Sequence, residues 1–214
     1  MSLRSVLRLG AKICLIRRKF VYEADLDELR PAEPRISARF RLGDRNDVLR
    51  MSEAVHDYDM LAQEFALERL RAGDRLTLAE SGNQIVFYSW LMFGQLDVGM
   101  RRYLPLSADT AYLYRLFTVA AYRGRRLSPA YFWLIREQLR QQNMRRVVSW
   151  VEARNLVSRR VFEAAGFRQI GCIWHVQFLF RSYFFVPPTL RARLSEHSAA
   201  AESLAVQAKA AQRV

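Results

Sequence analysis

The spacing of apolar positions changes several times along the chain, and each change marks an element. Leu3, Val6, Leu7, Ile13, Ile16 and Phe20 fall near helical spacing and predict a basic amphipathic helix over residues 1–20, weakened by Gly10. Residues 23–35 turn acidic and acquire Pro31 and Pro34, the pattern of a linker. Residues 36–42 alternate apolar with polar or basic side chains, as a half-buried strand does, until Gly43 ends the run. Residues 44–71 are rich in charge, with Met60, Leu61, Phe65, Leu67 and Leu70 at helical intervals, and predict one or two helices. Two strands over 75–79 and 84–92 flank a hairpin turn at Ser81-Gly82-Asn83. A further strand is predicted over 111–119. Ser128-Pro129 reads as an N-cap followed by proline at the first helical position, opening a helix to about residue 142. A short strand over 146–151, a helix over 155–165 stopped by Gly166, and two aromatic-rich strands within 168–185 complete the pattern. Pro187-Pro188 closes it, and the Ala-rich residues 189–214 read as a frayed helix or a disordered tail.

This order describes a mixed α/β sheet of about 150 residues, with no internal repeat. Composition agrees: 51% hydrophobic and 12% aromatic residues suffice for a core and exclude wholesale disorder. Two cysteines, Cys14 and Cys172, make neither a disulfide framework nor a zinc cluster. His56, His175 and His197 stand in no ligand-like spacing, so no metal site is expected. The longest uncharged run, 81–96, is shorter than the ~20 apolar residues of a membrane-spanning helix, and 13–16 is no signal-peptide core. A cytoplasmic protein is expected, with residues 1–20 offering a peripheral contact to anionic membrane. The net charge of +13, from 34 basic and 21 acidic residues, favours an anionic partner. Nucleic acid, lipid headgroups, an acidic carrier protein and a phosphorylated cofactor all satisfy it. Of these, nucleic acid finds no recognition motif in the chain.

The segment Leu116-Phe117-Thr118-Val119-Ala120-Ala121-Tyr122-Arg123-Gly124-Arg125-Arg126-Leu127-Ser128 carries the most chemistry. A strand runs into a short basic loop that opens a helix, where unpaired N–H groups and the helix dipole favour a phosphate. Gly124 permits close approach of the backbone to an anion, and Arg123, Arg125 and Arg126 add charge. The spaced glycines of a Walker loop or a dinucleotide fingerprint are missing. About 30 residues on comes Asn155-Leu156-Val157-Ser158-Arg159-Arg160-Val161-Phe162-Glu163-Ala164-Ala165-Gly166-Phe167. Together the two segments resemble the GNAT (Gcn5-related N-acetyltransferase) superfamily, whose first motif reads roughly Val-x-Pro-x-Tyr-Arg-Gly-x-Gly-Ile-Gly and whose second reads Asn-x-x-Ala/Ser-x-x-x-Tyr-Glu-x-x-Gly-Phe. The resemblance covers about residues 36–186.

The resemblance implies a mixed, mostly antiparallel sheet with splayed central parallel strands, flanked by helices. With the patterns at either end, this gives three parts: a basic amphipathic segment and linker over 1–35, a GNAT-like acyltransferase domain over 36–186, and an Ala-rich tail over 187–214. The resemblance also implies acetyl-CoA, or another acyl-CoA, as co-substrate. Loop amides at Arg123, Gly124, Arg125, Arg126, Leu127 and Ser128 would hold the pyrophosphate, Phe117, Thr118 and Val119 would meet the pantetheine, and Asn155 would hydrogen-bond its arm. Arg126 stands where the family favours a second glycine, and Ser128 where it favours Gly or Ala. Phe162 occupies the position of the tyrosine that often protonates the leaving thiolate. An acyl-CoA-dependent N-acyltransferase would then need a base. Glu80, Glu152 and His175 are the candidates, and Glu152, at the mouth of the fifth strand, is preferred. Tyr112 and Tyr114 share a face of the pantetheine strand and offer the hydroxyl missing at 162. The reading is transfer of acetyl from acetyl-CoA to a primary amine of a small molecule. The alternatives are a long-chain acyltransferase fed by acyl carrier protein or acyl-CoA at a membrane surface, and an inactive fold that binds CoA.

Overall fold

The computed structural model describes residues 14–54, 60–178 and 181–196. In chain order these form β1 (Cys14–Asp25), β2 (Arg39–Leu42), α1 (Arg45–Ala54), α2 (Met60–Arg71), β3 (Arg75–Ser81), β4 (Gln84–Phe93), β5 (Gln95–Gly99), β6 (Arg102–Pro105) and β7 (Thr110–Thr118). There follow α3 (Leu127–Arg140), β8 (Arg146–Glu152), α4 (Leu156–Ala164), β9 (Arg168–Phe178), β10 (Arg181–Phe185) and α5 (Pro188–Ser195). Eight strands make one sheet in the order β10-β9-β1-β8-β7-β4-β3-β2, and β5 and β6 make a separate hairpin. Every pair in the large sheet is antiparallel except β7 with β8.

Two cores cover the two faces. Val48 and Met51 of α1, Ala66 of α2, Leu96, Val98 and Leu104 of the hairpin, and Leu190 and Leu194 of α5 pack on one face. Leu127, Tyr131, Phe132, Ile135 and Leu139 of α3 and Phe162 of α4 pack on the other. No helix among the described residues is long and apolar enough to cross a membrane.

The amino-terminal segment departs from the helical expectation. From Cys14 on it is a strand in the middle of the sheet, paired with β8 from Lys19 to Asp25 and with β9 from Cys14 to Glu23. Residues 1–13 lie outside the described residues. The reason is burial on both sides: Val21 joins one core while Tyr22 and Ala24 join the other, and a strand covered on both faces shows no simple alternation. The linker is also tied down. Leu26 and Leu29 are buried, the Arg30 N–H donates to the Ala165 carbonyl at 3.1 Å, and the Arg35 N–H donates to the Arg125 carbonyl at 2.8 Å.

Two further differences concern helices. Ser128 does not cap α3, because the helix already begins at Leu127 and its N-cap is Arg126, which makes no side-chain cap. Residues 188–195, expected to fray, form α5 with Pro188 in its first turn. Residues 197–214 lie outside the described residues.

Candidate functional site

The site starts from a fault in the sheet. Between the pairs Tyr88↔Phe117 and Trp90↔Tyr114, the single residue Ser89 of β4 faces both Arg115 and Leu116 of β7. This is a β-bulge, with Arg115 at φ +50°, and it bends its strand away from the neighbour on the far side. The parallel pairing of β7 with β8 accordingly covers only Thr110↔Arg146, Ala111↔Val147 and Tyr112↔Val148. Beyond it the two strands run on to Thr118 and Glu152 with no residue of one paired to the other. A slot lined by backbone edges that the two strands leave unpaired to each other opens in the middle of the sheet, and its free N–H and C=O groups could pair with a ligand carrying amides.

The basic loop leaves β7 beside this slot. The Val119 N–H donates to the Val86 carbonyl at 3.0 Å, so Val119 points its amide toward β4. Successive strand amides point in opposite directions, which aims the Thr118 N–H into the slot. A single 3₁₀ turn (Ala120–Tyr122) follows, anchored where the Tyr122 hydroxyl donates to Gln84 at 2.9 Å. Arg123 turns back to donate from Nε to the Thr118 carbonyl at 3.3 Å.

Gly124 lies at φ +75° with nothing within 4 Å of where a Cβ would sit. Arg126 lies at φ +60°, ψ +24°, the left-handed conformation that glycine adopts without strain. Among the described residues no acceptor takes the N–H of Gly124, Arg125, Arg126, Leu127 or Ser128. The loop therefore presents a row of free donors at the positive end of the 14-residue helix α3.

A cleft of about 340 Å³ adjoins the loop. Its lining includes Arg30, Pro31, Arg126, Pro129, Arg160 and Val161. None of its three arginines makes an ion pair among the described residues. Arg30 and Arg160 were not legible as site residues. Arg30 comes from the apparent linker and Arg160 from the outward side of α4, and only the packing of that linker on α4 brings them together.

The second motif builds the opposite wall. Asn155 is the N-cap of α4, its Oδ1 accepting the Ser158 N–H at 3.1 Å. One side of its amide is thus used by the helix, and its Nδ2 remains to donate to a ligand. Phe162 is buried in a ring cluster with Tyr22, Phe132 and Phe167, at centroid distances of 5.8, 5.0 and 4.7 Å. No hydroxyl stands in its place: that of Tyr22 donates to Glu163 at 2.8 Å and accepts from Arg159 at 3.2 Å.

The tyrosines of β7 are already engaged. Tyr114 donates to Asp74 at 2.5 Å, and Asp74 also accepts from Arg69 at 2.7 and 2.8 Å. Burial and this carboxylate push the Tyr114 hydroxyl far above its usual range. Tyr112 stacks on Tyr114 at 5.3 Å, its hydroxyl reaches the Asp97 carbonyl at 3.3 Å, and burial raises it strongly.

The three candidate bases separate in the structure. Glu80 is bound by Arg41 at 2.7 Å and by Arg50 at 3.4 Å. His175 stacks on Phe184 at 4.4 Å, and burial, with Lys19 nearby, lowers its affinity for a proton. Glu152 ends β8 and lines a second cleft, of about 400 Å³, with Arg17, Arg18, Arg154 and Trp174. Its carboxylate has no hydrogen-bond or ion-pair partner among the described residues. It acts electrostatically on Lys19, whose ammonium burial holds below its usual range against the pull of Glu152 and Asp97.

Comparison with known proteins follows this geometry. A family model described as the acetyltransferase (GNAT) family matches residues 49–167, more than half of the chain. No curated protein matches. Among solved structures, a conserved protein of unknown function from Staphylococcus epidermidis superposes with a TM-score of 0.57 at 8% identity, over 84% of this chain and 69% of the other. A GNAT-family acetyltransferase from Colwellia psychrerythraea gives 0.55 at 12% identity, over 83% of this chain and 62% of the other. AAC(6')-Iy, solved with the bisubstrate analogue CoA-S-monomethyl-acetylneamine, gives 0.50 at 14% identity, over 71% and 98%. At these identities the likeness is one of fold. The chain spans less than two thirds of the Colwellia protein's length.

Proposed function

Because the chain belongs to the GNAT acetyltransferase family, we propose that it transfers an acetyl group from acetyl-CoA to a primary amine of a small molecule. The observation that carries this reading is the slot between β7 and β8 opening beside a loop with five unpaired amides. The loop N–H groups from Gly124 to Ser128 would hold the diphosphate, helped by the Arg126 guanidinium. Arg30 and Arg160 would meet the remaining phosphate charge from across the cleft. The slot-facing N–H of Thr118 and the Nδ2 of Asn155 would meet the amides of the pantetheine arm, whereas the backbone of Phe117 turns toward its β4 partner Tyr88. Val119 holds the end of the strand through its bond to Val86.

Acetyl-CoA supplies a thioester carbonyl already activated for attack. The chain's own residues would align it and place a slot-facing backbone N–H of β7 at its oxygen. Glu152 would accept the proton released as the amine attacks. Phe162 gives no proton, and Tyr112 and Tyr114 hold theirs against protein acceptors. The leaving sulfur therefore takes its proton from the slot's solvent side rather than from a phenol on α4. The complex of AAC(6')-Iy with its acetylneamine analogue supports an amino-bearing small molecule as the acceptor class.

Thermal unfolding with acetyl-CoA, CoA and longer acyl-CoAs tests the donor. A ligand at 100 times its dissociation constant stabilises a fold by ~2.7 kcal/mol. A shift with acetyl-CoA that Gly124→Glu removes is expected, since Gly124 faces open space and a carboxylate there would oppose phosphate. A shift with longer chains alone would reassign the donor, and no shift with any of them would overturn coenzyme binding. Thiol release in an amine screen then tests transfer. Glu152→Gln should keep the thermal shift while lowering kcat.

A further inference from the structure

Among the described residues, the α4 side of the sheet is covered from β3 to the end of β1, but not over β9 and β10. The core beneath α3 and α4 contains no residue of β9 or β10. The pairings Ile16↔Val176↔Tyr183 and Arg18↔Trp174↔Phe185 put those side chains on this one face, followed by Phe178 beside Arg181. Ile16, Trp174, Phe178, Tyr183 and Phe185 are each between 41% and 59% exposed. Five large apolar side chains on contiguous rows make a patch that a lone water-facing sheet does not keep without use. At its edge lies the 400 Å³ cleft, which holds Arg17, Arg18, Arg154 and Arg159 against a single acid, Glu152. Arg159 is engaged by Tyr22 and the Ala153 carbonyl, whereas Arg18 and Arg154 make no ion pair among the described residues; Arg17, paired with His175, alternates to the other face.

We propose that this face of β1, β9 and β10 docks on an anionic membrane surface, with the apolar side chains entering the headgroup layer and the free arginines meeting lipid phosphates. Charge complementarity chooses the occupant. A second copy seated face to face would set arginine against arginine, with one carboxylate per copy to offset them. A nucleic acid would want bare ring faces for stacking, but Arg18 already lies over Trp174, 5.5 Å from its centroid, and aliphatic Ile16 and Val176 occupy the middle of the patch. An interface that is apolar at its centre and cationic at its rim suits a lipid surface. The proposal stands on this surface alone and does not depend on the acetyl-transfer reading.

The test is co-sedimentation of the full chain with phosphatidylcholine vesicles, with and without phosphatidylglycerol. Binding is expected only to the anionic vesicles, and Ile16→Ser/Phe185→Ser should weaken it by about tenfold or more at an unchanged unfolding midpoint. Vesicles with brominated acyl chains should quench tryptophan fluorescence, and Trp174→Phe should remove that quenching while binding persists. Binding of the double variant within about twofold of the parent would overturn the proposal, because charge elsewhere, such as on residues 1–13, would then carry it. Absence of vesicle binding also overturns it. So does a concentration-dependent dimer, or retention on single-stranded RNA, that the double variant loses while vesicle binding stays unaltered.

Discussion

At φ +60°, Arg126 carries a side chain in the left-handed region, where a Cβ costs roughly 1–2 kcal/mol. The strain coincides with the place where the loop must turn its amides outward, and the neighbouring peptide is fixed by the bond from the Arg35 N–H to the Arg125 carbonyl. Backbone geometry and side-chain charge therefore make opposite demands at this position, and Arg126→Gly separates them. Relief of strain, partly offset by the freer unfolded chain, should raise stability by about 0.5 kcal/mol in urea unfolding. Loss of the guanidinium should weaken acetyl-CoA binding several-fold and flatten its dependence on salt. Stability and affinity moving together in either direction would refute this division of roles. Gly124 was legible in the sequence because glycine announces its own conformational freedom. The left-handed turn at 126 was not, because an arginine hides it.

Among the elements, Arg41 ties three together. From β2 it reaches Asp47 of α1 at 2.6 Å and Glu80 of β3 at 2.7 Å. Its guanidinium holds the carboxyls of both Asp47 and Glu80 below their usual range. A depressed carboxylate contributes stability above its unfolded pKa of ~4, and that contribution is lost as pH falls through the lower folded value. Acid unfolding of the parent should therefore steepen below about pH 4. Arg41→Gln should lower stability near neutrality by about 1–2 kcal/mol, the pair being partly exposed, and shrink the acid dependence. A variant with the parent's pH profile would show the cluster to be inert. Gly166, where α4 ends, meets a harder constraint: at φ +104°, an added Cβ would lie 2.4 Å from the Glu28 carbonyl oxygen. Gly166→Ala should cost about 2–4 kcal/mol in urea unfolding. Its role as a helix stop was legible, but its closeness to residue 28 was not, since that segment read as a linker. The β5–β6 hairpin escaped the sequence reading for a local reason. Its turn is Met100-Arg101, both at positive φ (+54° and +56°), where asparagine and glycine normally mark such a turn.

On the scale of the whole molecule, β1 decides where the domain begins. The sequence showed apolar residues near helical spacing among six cations up to Phe20, and acids with prolines after it, so a boundary near residue 35 was the natural inference. The structure instead places residues 14–25 between β8 and β9, the two segments on either side of the second motif. Without this strand, β8 would keep only three paired residues, those with β7, and α4 would lose Tyr22 from beneath Phe162. Both cores would lose fully buried side chains, Val21 from one and Tyr22 and Ala24 from the other. Each such loss is of the size of a large-to-small core substitution, about 2–5 kcal/mol, and a small domain has only about 5–15 kcal/mol in all. A chain starting at residue 26 should therefore show no cooperative thermal transition and no response to acetyl-CoA, whereas one starting at residue 14, which keeps β1, should unfold cooperatively and respond to acetyl-CoA. Circular dichroism melts of the two truncations with and without acetyl-CoA distinguish the cases. A cooperative, ligand-shifted melt from the shorter chain would mean that the sheet closes without β1, and that the slot between β7 and β8 is held open by α3 and α4 alone.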